Sequence, residues 1–175
     1  MSAGIIVGIV LGSIILLILL AFVIWFWANF RTLVKMRGFV DKGFEELNEN
    51  LKKRYELLPK YIEAVKTSVD YDFSKILDAR GASMASRNID EQLKNDSTLS
   101  NEVVNLYQLA NESGKLNENV DFLDIRNEMS AIEDEIDYCR KYYNGVAKLY
   151  NAKCTVFPAN MVAKWFHLEK CSLYV

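Results

Sequence analysis

The stretch IIVGIVLGSIILLILLAFVIWFW, residues 5–27, decides how this chain is built. It holds 23 residues without one charged side chain. As a helix it spans roughly 34 Å, enough to cross a hydrocarbon core of about 30 Å. Its flanks favour a retained anchor over a cleaved signal peptide. Met1-Ser2-Ala3-Gly4 has no basic residue, and the apolar run is longer than a signal h-region. Trp25, Trp27 and Phe30 close the run as an interfacial aromatic belt. Basic residues stand on one side only, at Arg31, Lys35, Arg37 and Lys42. The positive-inside rule therefore predicts an outside N-terminus and a cytoplasmic soluble domain. Gly4, Gly8 and Gly12 recur at every fourth residue and form one smooth stripe, the kind that lets two membrane helices approach closely.

Beyond the span the composition changes. The chain has 175 residues, room for one domain and one span, and only two prolines and eight glycines. Leu33, Val40, Phe44, Leu47, Leu51 and Leu58 follow a helical period with no breaker separating them from Trp27. The membrane helix is thus expected to run straight into the first soluble helix. Pro59 interrupts this stripe, but Ile62, Val65, Val69, Phe73 and Ile76 resume it. A kink at Leu58-Pro59 inside a helical run reaching residues 80–87 is the reading these spacings favour. Residues 88–101 are polar, with Asp96-Ser97 and Ser100 available as caps for a helix over about 99–111. Glu112-Ser113-Gly114 reads as its stop. Met129, Ile132, Ile136, Cys139, Tyr143, Val146 and Tyr150 then form a heptad-type seam that Phe157-Pro158 ends. Residues 159–175 remain as an apolar and aromatic tail. Met161, Trp165 and Phe166 are its candidate contacts to the bundle, a second subunit or a membrane. The expected fold is all-α. A transmembrane anchor, 1–28, continues into an elongated antiparallel bundle of three to four helices, 29–158, followed by the tail, 159–175.

Catalytic residue types are scarce. His167 is the single histidine, and there is no HExxH, CxxC or glycine-rich phosphate loop. No cofactor or metal is expected, and no Glu-x-x-His pair offers a di-iron site. Net charge is −2 and the sequence pI about 5.5, so a basic nucleic-acid footprint is missing. Cys139, Cys154 and Cys171 are an odd set without paired spacing, which suits thiols in a reducing compartment. Arg54, beside the apolar stripe, is expected to meet a carboxylate of the last helix, with Glu128, Glu133 and Glu135 as candidates.

The run from Leu51 to Lys66, LKKRYELLPKYIEAVK, closely resembles the first signature of the LemA family, with Arg54, Leu58 and Pro59 at its centre. Asn117-Glu118-Asn119 resembles the second. Arg140, Tyr143-Asn144, Tyr150-Asn151 and Phe157-Pro158-Ala159-Asn160 follow in the family's order. The resemblance covers nearly the whole chain. Its departures are local: Lys60 replaces the usual Asn, and the tail lacks the family's Gly-Phe and aromatic-acidic ending. It implies a membrane-anchored helical bundle in a bacterial envelope, single-pass in the inner membrane. It names no reaction. Family members often neighbour an HtpX-like membrane metalloprotease, and a relative serves in magnetosome formation. The chain is therefore expected to be a non-enzymatic scaffold that self-associates at a membrane, or an adaptor or regulator of such a protease.

Overall fold

The computed structural model describes residues 3–112 and 120–174, and these form an all-helical structure. Helix α1 spans Ala3–Val65, α2 Phe73–Met84, α3 Ile89–Glu112, α4 Val120–Thr155 and α5 Ala159–Trp165. The chain's apolar run and its first bundle helix are one element, since α1 crosses residue 28 without a break. Its first part is long and apolar enough to cross a membrane, and none of that window is covered by the rest of the protein. Ser13, the hydroxyl residue of this part, donates back to the carbonyl of Val10 at 2.8 Å, so its polar group is satisfied within its own helix.

The second part of α1 pairs antiparallel with α4. Tyr61 meets Phe122, Arg54 meets Glu133, Phe44 meets Tyr143 and Arg37 lies over the ring of Tyr150. The helices approach closely at Gly43, where an added Cβ would stand 3.1 Å from the Tyr142 ring. Helices α2 and α3 form a hairpin on the same face. Arg80 of α2 and Gln92 of α3 reach back to α1 at Tyr55 and Asn48. The four helices run up, down, up and down around Leu47, Leu51, Leu58, Tyr61, Ile76, Leu99, Leu106, Met129, Tyr143 and Tyr150, all buried.

Pro59 does not end α1. The proline lacks an N–H, so the carbonyl of Tyr55, four residues back, loses its helical donor. The Arg80 side chain replaces it, with Nε 2.6 Å from that oxygen. The helical run expected to reach residues 80–87 is instead interrupted: residues 66–72 leave the helix, and Asp72 caps α2 by accepting from the Ser74 N–H at 3.2 Å. The period hides this break because Val65, Val69 and Ile76 all reach the same core from both sides of the turn. A second correction concerns α3. It begins ten residues earlier than expected, capped by Asn88, whose Oδ1 accepts from the Glu91 N–H at 2.8 Å. Asp96, Ser97 and Ser100 therefore lie inside the helix and cap nothing. On α4 the seam holds at Met129, Ile136, Cys139, Tyr143 and Tyr150. Ile132 and Val146 are only half-buried, and Ala147 enters the core instead of Val146.

Candidate functional site

Arg54 of α1 is wholly buried, and two helices, α3 and α4, supply its partners. Its Nη2 is paired with Asp96 Oδ1 of α3 in a very short contact. Its Nη1 donates to Ser100 Oγ at 2.8 Å and lies 3.4 Å from Glu133 Oε2 of α4. Asp96 is equally buried and accepts further from Tyr55 at 2.7 Å and from the hydroxyl of Tyr174. A buried ion pair loses the hydration of both charges, and only converging hydrogen bonds offset that loss. Here the carboxylate gathers a guanidinium and two phenols. Burial lowers the tendency of Arg54 to hold its proton, yet Asp96 and Glu133 outweigh it and keep the guanidinium charged. Burial and the neighbouring Asp96 push the phenols of Tyr55 and Tyr174 up, so both stay donors. Burial also pushes the Glu133 carboxyl above its ordinary range; Arg54 pulls it back part of the way and Asp96 adds to the rise.

Tyr174 reaches this centre because the tail folds back along the bundle. After α5 the chain runs extended beside α4, held by the two Tyr-Asn doublets. Asn151 accepts from the Cys171 N–H at 2.8 Å and donates to the Cys171 carbonyl at 2.7 Å. Asn144 does the same for Tyr174, at 2.9 and 2.7 Å. The Tyr143 hydroxyl donates to the Ser172 carbonyl at 2.6 Å, and Arg140 lies over the Tyr174 ring at 5.6 Å. The doublets are seven residues apart, two helical turns, so both face the tail and each amide grips a backbone as a neighbouring strand would.

The aromatic residues at the end of the apolar run meet those that follow α4. Phe157 packs on Trp25, Trp165 on Phe26, and Phe166 on Phe30 with ring centroids 4.4 Å apart. Trp27 packs on Phe30, and Met161, Trp165 and Phe157 stay largely exposed. Asn160 is half-buried with Leu58 deep in the core, and Pro158 precedes α5. Gly4, Gly8 and Gly12 face open space. Asn119 lies outside the described residues. Among the described residues, no group of three His, Cys, Asp or Glu side chains is arranged to hold a metal ion.

Sequence reasoning paired Arg54 with the last helix, and Glu133 is there, but the closest partner is Asp96 of α3. A signal for it exists. Leu93, Asp96, Leu99 and Val103 are spaced three, three and four apart, so the carboxylate stands on the buried stripe of α3. Tyr174 and Arg80 carried no such signal, because one lies in an irregular segment and the other answers a backbone vacancy on another helix.

Comparison with curated proteins finds no match. The sequence model of the LemA family matches residues 43–175. That region contains the buried arginine, the proline with its substituted donor, both Tyr-Asn clips and the tail they hold. The chain belongs to the LemA family.

Proposed function

We propose that this protein is a non-enzymatic, membrane-anchored scaffold that self-associates. The observation that carries the reading is the continuity of α1: the helix that forms the apolar span is also a core helix of the bundle. Any association of the spans is thus transmitted to the bundles through one rigid rod. The glycine stripe, open along Gly4, Gly8 and Gly12, supplies a surface on which two spans can meet. The most prominent polar cluster, around Arg54, is sealed by Tyr55 and Tyr174, which suits architecture better than turnover. Purified in mild detergent, the protein should run as a discrete homo-oligomer by light scattering. Gly8→Ile should shift it toward the monomer, because a branched side chain holds two backbones apart. A monomeric wild type overturns the reading.

The setting we propose is the inner membrane of a bacterial cell, N-terminus outside and bundle in the cytoplasm. The basic residues from Arg31 to Lys42 support that orientation. In a Cys171→Ser background, an impermeant thiol reagent on intact cells should label Ser2→Cys and spare Thr98→Cys; the reverse pattern inverts the topology. The second reading, an adaptor or regulator of an HtpX-like membrane metalloprotease, draws on the exposed Met161 and Trp165 beside the span. A monomer recovered only together with the protease would favour it.

A further inference from the structure

Helix α5 is apolar on both sides. Ala159, Val162 and Ala163 are buried against the bundle. Phe157, Met161 and Trp165, each four residues from the next, point the other way and are 69%, 53% and 74% exposed. Only Asn160 and Lys164 interrupt these two apolar faces, and an exposed apolar stripe flanked by a basic residue is the pattern of a helix lying at an apolar boundary. This one leaves half its apolar surface bare.

Its position says what covers that surface. The chain after α4 packs on α1 between residues 25 and 30: Phe157 on Trp25, Trp165 and Phe166 on Phe26, Phe166 on Phe30. This is the last stretch of the uncharged run, and Arg31 follows at once. A core of about 30 Å takes about 20 helical residues, so these aromatic contacts fall at the boundary of hydrocarbon and headgroups. Tryptophan and phenylalanine beside lysine is the chemistry of that boundary. Lys164, next to Trp165, and Arg31 and Lys35 on α1 are all exposed and suit anionic headgroups.

We infer that α5, with the turn at residues 156–158, is a second membrane contact: it lies in the lipid interface beside the span and seats the base of the bundle in the bilayer surface. The occupant is lipid, because the exposed stripe adjoins the uncovered surface of the span through the Phe157–Trp25 and Trp165–Phe26 ring contacts. Insertion of α5 also fixes the tilt of α1, which would otherwise pivot freely where it leaves the membrane. The tail then starts at the membrane and ends at the buried Asp96, so lipid contact and bundle core are joined by a short extended segment.

This inference rests on the reading of α1 as a membrane anchor, and the test separates the two. The chain has three tryptophans, so two substitutions leave one reporter. Full-length protein is reconstituted in vesicles of phosphatidylethanolamine and phosphatidylglycerol whose acyl chains carry bromine near the headgroup. Trp25→Phe with Trp27→Phe leaves Trp165; Trp27→Phe with Trp165→Phe leaves Trp25. Helical circular dichroism checks that both fold. Trp165 emission should be blue-shifted and quenched by the bromines as strongly as that of Trp25. Quenching of Trp25 with red, unquenched emission from Trp165 overturns the second contact and leaves the anchor standing. Blue-shifted but unquenched Trp165 emission means that protein covers the stripe, a second copy or a partner, and also overturns it. If neither tryptophan is quenched, the anchor itself fails and α5 insertion with it.

Discussion

The two parts of α1 are one helix in two surroundings: the first stands clear of the rest of the protein and the second is packed into the bundle. From Gly8 to Trp25 the side chains are exposed to whatever surrounds the protein, whereas Leu33, Leu47, Leu51, Leu58 and Val65 are fully buried. Polar groups are handled differently in the two. Ser13 in the first part is satisfied by its own helix, three residues back. In the second, Nη1 and Nη2 of Arg54 are satisfied by α3 and α4, from residues 42 and 79 positions away. A lipid solvent offers no partners, so satisfaction has to be local. A bundle can bring partners from far along the chain, so it can hold a charge that local structure cannot. Secondary structure is the same in both parts. What the helix may carry is set by its surroundings.

The sharpest way to break this contrast is to remove the charge from the bundle part. Arg54→Ala leaves Asp96 buried without its cation, and losing one member of a buried pair costs about 3–5 kcal/mol. The unfolding temperature of the bundle, followed by circular dichroism in detergent, should fall steeply. Gly8→Ile in the membrane part should leave it in place while changing oligomer size. Equal effects of the two changes would mean that anchor and bundle fold as one unit.

Tyr174→Phe asks how much the tail adds to the same centre. It deletes the donor to Asp96 and the contact to Ser100, which stands at 3.0 Å. The expected cost is about 1–3 kcal/mol, that of an under-satisfied buried acceptor. Limited proteolysis should then cleave residues 168–174 faster. Unchanged stability and cleavage would mean that the Asn144 and Asn151 clips hold the tail alone.

Arg80 and Pro59 form a subtler pair, because one supplies what the other lacks. Arg80→Ala should cost about 1 kcal/mol by orphaning the Tyr55 carbonyl. Pro59→Ala restores a backbone N–H within the helix, so Arg80→Ala should cost less in that background. A double-mutant cycle of thermal unfolding measures the difference. Strict additivity would show that Arg80 acts elsewhere.

The smallest expected effect is a pH dependence. Glu133 has a folded-state pKa raised chiefly by burial. The folded protein thus holds that proton more tightly than the unfolded chain does. Its contribution to stability is whole below the ordinary glutamate value, about 4.3, and is lost as pH rises through the folded value. The stability of wild type relative to Glu133→Gln should therefore decline between mildly acidic and neutral pH. A relative stability that rises over this interval would place the pull of Arg54 above the cost of burial.

Much of this was legible in residues alone, and the divide has a physical cause. The uncharged run from Ile5 to Trp27, the helical period from Leu33 to Leu58, the seam from Met129 to Tyr150 and the spaced motifs around Arg54 and Pro59 are patterns of neighbouring positions. Burial of one helix face repeats with the helix itself, so the long apolar helix, the all-helical class and the family could all be read from the residues. The sequence could not tell that residues 66–72 leave the helix, because a turn whose two sides meet the same core preserves the period. Asp96 looked like a cap because its partner is a charge 42 residues away. The tail looked unplaced because no period governs an extended segment: its position depends on two asparagine amides and one tyrosine that α4 holds two turns apart. Which groups converge on Arg54, which donor replaces the one missing at Pro59, and that α5 rests beside the apolar part of α1 were settled by three-dimensional packing. Each of these is a meeting of residues far apart in the chain, and such meetings are selected by the shape and polarity of the assembled core rather than by any local preference.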